Sequence, residues 1–103
     1  MSGGMRAERL AAIATPDGVL EWCSGECGAA ARVAAAAASA LESMVALEDL
    51  LFTRVKRIAV ELGSGAYVLI SRLSDRVLVL YAENITQGAA HVLLRKLEDS
   101  EQR

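Results

Sequence analysis

Residues 54–83, RVKRIAVELGSGAYVLISRLSDRVLVLYAE, decide the fold, because apolar side chains recur there with a period of two. Such alternation is typical of β-strands. The segments GSG (63–65) and SD (74–75) divide the stretch into three predicted strands. The first strand alternates apolar residues with polar ones such as Arg57, which indicates one buried and one partly exposed face. The third, residues 77–82, is apolar on both faces and is predicted to be a central strand covered on both sides.

Before these strands, residues 24–52 are predicted to form one long helix that is rich in alanine. Two apolar stripes run side by side along it. An ordinary surface helix has a single apolar stripe, so a helix with two is predicted to pack on two sides. The first stripe is Val33, Ala37, Ala40, Met44, Leu47 and Leu51, and the second is Ala30, Ala34, Ala38, Leu41, Val45 and Phe52.

A hairpin is predicted ahead of this helix and a shorter helix after the three strands. The hairpin strands RLAAIAT (9–15) and VLEWCSG (19–25) flank the turn TPDG, in which Gly18 can adopt a positive φ. Residues 86–100 form the last helix, with Ala89, Val92, Leu93 and Leu97 on its apolar face and His91, Arg95 and Glu98 largely outside it. The order β-β-α-β-β-β-α predicts an α+β fold, in which a five-stranded antiparallel sheet has the long helix on one face and the C-terminal helix on the other.

Length and composition predict one domain, and they argue against several classes of partner. We expect residues 1–8 to be a flexible leader, 9–98 the domain and 99–103 a polar tail. The net charge of −2 supplies no positive field for nucleic acid or anionic lipid. The early apolar run is too short for a signal peptide, and nine uncharged residues between Arg32 and Glu42 are too few for a helix that crosses a membrane. A cytoplasmic location is therefore expected.

Three parts of the chain together resemble the roadblock/dynein light chain domain of the roadblock–longin group, in its bacterial or archaeal form. They are LAAIATPDGVLEW (10–22), the alanine-rich helix with the strands that follow it, and ENITQGAAHVLLRKL (83–97). The resemblance covers residues 9–98 and implies a profilin-like α+β fold. Typical members begin with a helix before the first strand. Here only about eight residues precede that strand, so part of one sheet face is expected to be less covered.

The resemblance also implies a homodimer, in which the middle helix packs on its copy and the third strand pairs with its copy. An edge strand with open hydrogen bonds favours the same pairing. We expect residues 55–61 to form the paired strand. The predicted contact residues are Ala34, Ala38, Leu41 and Val45 of the helix, and Val55, Arg57, Ala59 and Glu61 of the strand segment.

The function implied by the resemblance is that of a non-catalytic adaptor or regulator. Bacterial and archaeal members often bind a small Ras-like GTPase or tether it in a signalling or polarity complex. Two alternatives remain open from the sequence. One is a small-ligand sensor of profilin- or PAS-like shape with a pocket between sheet and helix, and the other is a structural subunit of a larger complex.

Few residues are candidates for catalysis or for binding a metal. Cys23 and Cys27 lack the two-residue spacing of zinc and thioredoxin sites, so small, buried, free thiols are expected. The segment GSGA (63–66) precedes a strand and has no lysine, which favours a hairpin turn over a phosphate-binding loop. The chain has a single histidine, His91, and no nucleophile elbow. We therefore expect no catalytic residues, no metal and no cofactor.

Overall fold

The computed structural model describes residues 9–25 and 27–101, which form one five-stranded antiparallel sheet with helices on both faces. The spatial order of the strands is β2-β1-β5-β4-β3. The elements are β1 (Arg9–Ala14), β2 (Leu20–Gly25), a short 3-10 turn (Cys27–Ala29), α1 (Ala30–Glu42), α2 (Val45–Leu51), β3 (Arg57–Glu61), β4 (Tyr67–Leu73), β5 (Arg76–Ala82) and α3 (Gln87–Glu101).

The turns between the strands form where the sequence predicts them. Gly18 has a φ of 91°, and the Val19 amide donates to the Thr15 hydroxyl at 3.1 Å. In the second hairpin, Gly65 has a φ of 90° and the Leu62 amide donates to the Ala66 carbonyl at 2.8 Å. Both glycines occupy the left-handed region, which side chains with a Cβ rarely enter. The prediction of a hairpin turn at GSGA is confirmed.

The predicted central strand is also confirmed, since β5 lies between β1 and β4 and is covered on both faces. Odd and even positions of each strand point to opposite faces of the sheet. One face packs against α1 and the other against α3. The α1 cluster contains Ala12, Ala37, Leu41, Ile70, Val77 and Val79, and the α3 cluster contains Ile13, Leu69, Leu78, Leu80, Ala90 and Leu94.

The single helix predicted for residues 24–52 is wrong at both ends and in the middle. The helix begins at Ala30, because residues up to Gly25 belong to β2. It is interrupted at Ser43, whose hydroxyl donates to the Ala40 carbonyl at 2.8 Å. The Met44 amide then donates to Leu41, three residues back, at 3.1 Å. Such local hydrogen bonds tighten the backbone and end the regular α-helical pattern.

The face of α1 that meets the sheet explains why the helix is rich in alanine. Its buried residues are Ala30, Ala34, Ala37, Ala38 and Leu41. The hairpin turn approaches α1 so closely that a Cβ on Gly18 would lie 3.0 Å from the Ala35 Cα and 3.3 Å from the Ala38 Cβ. Larger side chains on this face would hold the helix away from the sheet. Alanine therefore allows close packing within the chain itself.

The last helix was predicted for residues 86–100, and α3 covers Gln87–Glu101. The Glu101 carboxylate accepts a hydrogen bond from Arg76 at 3.1 Å. The polar residues 99–101 of the predicted tail thus belong to this helix. The predicted leader, residues 1–8, lies outside the described residues, as do residues 102–103.

One stretch of the described chain, Cys27–Leu51, is long and apolar enough to cross a membrane by length and composition alone. Core helices of soluble proteins meet the same criterion. In this protein the stretch is divided into α1 and α2, and α1 packs on the sheet as a core helix does. It is weak evidence for a membrane span.

Candidate interaction surface

The sheet face that carries α1 is not covered along its whole width. Helix α1 lies chiefly over β1, β2 and β5. Of β4, Ile70 is buried in the α1 cluster, whereas Val68 of β4 and the residues of β3 on this face lie beside the helix. Val60 of β3 is 39% exposed there. We call this apolar surface the open strip. It consists of Val33, Ala36 and Ala40 on the flank of α1 together with Ile58, Val60 and Val68 of the sheet, all of them half-buried or exposed.

The open strip ends at an unpaired edge of the sheet. Strand β3 pairs with β4, and within the described part of the chain no strand lies on its other side. An edge strand presents a row of free backbone N–H and C=O groups to any second strand. Strand β3 covers residues 57–61 of the predicted segment 55–61. Its pairing with a second copy stays a prediction.

Helix α2 adds a second apolar surface, which we call the α2 tip. It has no buried residue. Its apolar side chains project into solvent, with exposed fractions of 41% for Val45, 45% for Leu47, 74% for Leu50, 60% for Leu51 and 93% for Phe52. Single exposed apolar residues are common, but a contiguous group usually marks an interaction site.

Polar contacts fix the position of α2. The Glu48 carboxylate accepts a hydrogen bond from the Val55 amide at 2.6 Å and pairs with the Arg72 guanidinium at 2.8 Å. The Val55 amide first, and Arg72 second, lower the pKa of Glu48 below its ordinary value. Hydrogen bonds that favour the charged form have this effect. The carboxylate therefore ties α2 to the segment that leads into β3.

Three of the predicted contact residues are buried inside the protomer. Ala34, Ala38 and Leu41 are 0%, 8% and 4% exposed, because they face the chain's own sheet. They cannot form the surface of a contact between two copies, and this assignment is corrected. The flank of α1 that remains available includes Val33 and Ala40 of the other predicted stripe, whereas Ala37 of that stripe is buried against the sheet.

The other five predicted residues lie along α2 and the sheet edge. Val45 belongs to the α2 tip, and Val55 is half-buried just before β3. Ala59 and Glu61 are exposed on β3, while Arg57 is engaged within the protomer by an ion pair. The side chains of these three β3 residues point to the α3 side of the sheet, since they are in register with Ser71, Leu69 and Tyr67. A contact at this edge would therefore use the β3 backbone.

An ion pair links the edge strand to α3. The Arg57 Nε donates to Glu98 at 2.9 Å and its Nη2 at 2.5 Å, and the Ser71 hydroxyl also donates to this carboxylate. Arg57 is the main cause that lowers the pKa of Glu98 below its ordinary value, with Ser71 acting in the same direction against the effect of burial. The sequence placed Glu98 outside the buried face of the last helix, which is wrong, since it is 8% exposed.

The two cysteines also differ from expectation. Cys23 and Cys27 form a disulfide, with Cα atoms 5.9 Å apart. Cys27 is exposed and Cys23 is half-buried, so neither is the buried free thiol that was predicted. Gly25, which lies between them in the sequence, has a φ of 90°. Among the described residues, no group of three potential ligands could hold a metal ion.

The small-ligand alternative requires a pocket between sheet and helix, and such pockets lie on both sides of the sheet. The cavity at the end of α1 has a volume of about 120 Å³, and its lining includes Leu41 and Arg72. Two open clefts beside α3, both lined in part by Leu97, have volumes of about 600 and 340 Å³. Sites for drug-sized ligands have volumes of roughly 300–1,000 Å³. The cavity at the end of α1 is therefore too small for such a ligand, and the clefts beside α3 are large enough.

The similarity of this chain to known proteins lies in its three-dimensional structure. No family model matches the sequence, and no curated protein does. The roadblock/LC7 domain from Streptomyces avermitilis superposes with a TM-score of 0.76 at 21% identity, over 94% of this chain and 84% of that one. MglB from Myxococcus xanthus gives 0.78 at 17% identity, over 90% and 78% of the two chains. The gliding protein MglB from Thermus thermophilus gives 0.73 at 16% identity, over 88% and 72%.

These likenesses establish the fold of the chain. The sheet with α1 on one face and α3 on the other is the α+β arrangement of a roadblock domain, as the sequence resemblance implied. The protein therefore has the roadblock fold.

Proposed function

We propose that the protein is a non-catalytic homodimeric adaptor of the cytoplasm, which regulates a small Ras-like GTPase or tethers it in a signalling or polarity complex. The observation that carries the proposal is the open strip beside the unpaired edge of β3. Apolar surface and free backbone hydrogen-bonding groups lie together there, and a second copy of the chain would satisfy both.

The dimer would form by antiparallel pairing of two β3 strands. The two sheets would then join into one, and the open strip of each copy would be covered by the other. Val60 and the flank of α1 at Val33 lie on the same face of the sheet, so one approach would bury both. Burial of apolar surface contributes roughly 25 cal/mol per Å². A structure of MglB with a tetrameric arrangement, similar to this chain with a TM-score of 0.74 at 16% identity, shows assembly of another protein with this fold.

The GTPase partner is proposed from the family resemblance and from what this chain lacks. The sequence has no phosphate-binding loop, so the nucleotide chemistry would reside on the partner. The α2 tip would remain as an apolar docking surface near the joined edges. Two similar structures carry the name MglB, and one of them is called a gliding protein.

Val60→Lys tests the dimer directly. A lysine on an edge strand opposes strand pairing and would place a charge in the covered strip. We expect the wild-type chain to have the mass of two chains by light scattering at micromolar concentration. The variant should raise the dissociation constant at least about tenfold, which corresponds to roughly 1.4 kcal/mol.

Val92→Lys is the matched control, because Val92 is 54% exposed on α3, on the opposite side of the sheet. It should leave the mass unchanged. A wild-type chain that remains a single copy at micromolar concentration would exclude the homodimer.

The GTPase proposal requires a separate measurement. The immobilised wild-type chain is incubated with lysate of its own host, in the presence of GDP or a non-hydrolysable GTP analogue. A Ras-like GTPase should be retained, in amounts that depend on the nucleotide, and identified by mass spectrometry. If a dimeric chain retains no GTPase under either condition, the adaptor role for GTPases fails while the dimer stands.

A further inference from the structure

We propose that Cys23 and Cys27 form a thiol–disulfide exchange site that controls the order of the start of α1. Its reactants would be dithiols and their disulfides. The two cysteines are separated by four positions in the sequence and are joined in the structure. They connect the end of β2 to the 3-10 turn that leads into α1. The site would operate in a monomer as well as in a dimer.

The backbone keeps the two sulfurs close whether or not they are bonded. Cys23 is held in β2 by pairing with Ala12 of β1. A Cβ at Gly25 would lie 2.2 Å from the Arg9 carbonyl oxygen, so glycine is required there while β2 stays paired with β1. Ala30, three positions after Cys27, is 0% exposed against the sheet. Because the chain is held on both sides of the two cysteines, reduced thiols would remain near each other and could form the bond again.

The start of α1 is held to the sheet on its inner side, where Ala30 and Ala34 are 0% exposed, but it has no capping group. Its N-cap is Ala29, which has no side chain able to accept a hydrogen bond from the first amides, and no acidic residue lies in the first turn. The 3-10 turn before it has no buried residue. Helix termini that lack capping groups fray readily. The disulfide therefore adds a restraint on the 3-10 turn and on the uncapped first turn of the helix, beside the packing of these alanines.

The unequal exposure of the two cysteine residues determines which sulfur is attacked. Cys27 is exposed and Cys23 is half-buried, so a thiolate of the dithiol attacks the Cys27 sulfur. The bond between the cysteines breaks, and Cys23 leaves as a thiolate that takes up a proton. The second thiolate of the reagent then attacks the reagent sulfur that is bonded to Cys27. Cys27 leaves as a thiolate and takes up a proton. The products are two protein thiols and one oxidised, cyclic reagent.

The test uses the full chain equilibrated with mixtures of reduced and oxidised dithiothreitol at pH 7. Thiols are trapped with an alkylating reagent and counted by mass spectrometry. We expect two reactive thiols to appear together as the reduced fraction rises. Over the same range, amide exchange in the first half of α1 (30–36) should become about tenfold faster, while exchange in α3 stays constant.

The double variant Cys23→Ser with Cys27→Ser is the matched control. The amide-exchange rate of the double variant in residues 30–36 should equal that of the reduced wild type and should not respond to the reagent. The proposal is overturned if the thiols stay free under oxidising mixtures. It is equally overturned if the bond forms and α1 exchanges at the same rate in both states.

Discussion

Ala34→Asp is expected to abolish cooperative folding of the protein at neutral pH. Ala34 is 0% exposed and lies between α1 and the sheet. The neighbouring α1 cluster consists of apolar side chains, so it would offer a carboxylate no partner. Burying an unpaired charge costs several kcal/mol, and about 4 kcal/mol would remove most of the stability of a small domain. Urea denaturation followed by circular dichroism measures the loss.

Ser39→Asp is the control, because Ser39 is exposed on the outer side of the same helix. Its effect should be within about 0.5 kcal/mol. Equal unfolding midpoints for the two variants would show that the second predicted stripe does not face the chain's own sheet. The prediction that Ala34 lies in a contact between two copies of the chain would then stand.

Glu98→Gln is expected to lower the free energy of unfolding by about 2 kcal/mol at pH 7. The substitution keeps the shape of the side chain but removes the charge that pairs with Arg57. Breaking a buried ion pair from one side costs about 3–5 kcal/mol, and the effect is smaller here because the Arg57 side chain is 29% exposed. Urea denaturation of both proteins at pH 7 provides the comparison.

The same variant should change how stability depends on pH. The pKa of Glu98 is lowered in the folded protein from an ordinary value of 4.5, chiefly by Arg57. As pH falls, the unfolded chain therefore binds this proton before the folded chain does, and the contribution of the pair is lost below about pH 4.5. The difference between wild type and variant should shrink as pH falls from 5 to 3. A difference that stays constant over that range would show that the charge of Glu98 is not what stabilises the fold.

The strands and their order along the chain could be predicted from the sequence, because apolar side chains recur with a strong period of two. Residues 77–82 are apolar on both faces, and only a central, doubly covered strand accounts for that. The orientation of α1 could not be predicted in the same way. Alanine contributes equally little apolar area on every side of a helix, so the hydrophobic pattern does not distinguish the two stripes. The buried face takes residues from both stripes. It is fixed by long-range contacts with the sheet and with the hairpin turn at Gly18, which lies close to Ala35 and Ala38.

The candidate interaction surface could also be predicted only in part, because it too depends on long-range contacts. The alternation of polar and apolar residues predicts the strand itself, and the resemblance implied its place at an edge, where β3 lies among the described strands. The burial of Glu98 depends on side-chain contacts between residues that are distant in the sequence. Arg57 and Glu98 are 41 positions apart in the chain. They meet because Arg57 is opposite Ser71 in the sheet and α3 crosses that face.

Helix α1 has an inner side packed by alanine methyl groups and an outer side that is exposed. This division limits which positions of the helix can change in evolution. Substitutions at the buried alanines, such as Ala34 and Ala37, alter the distance between helix and sheet, so selection should hold these positions nearly fixed. Positions such as Arg32 and Ser39 are exposed and can change without disturbing the core. Related chains can therefore diverge in what they bind while retaining the same protomer.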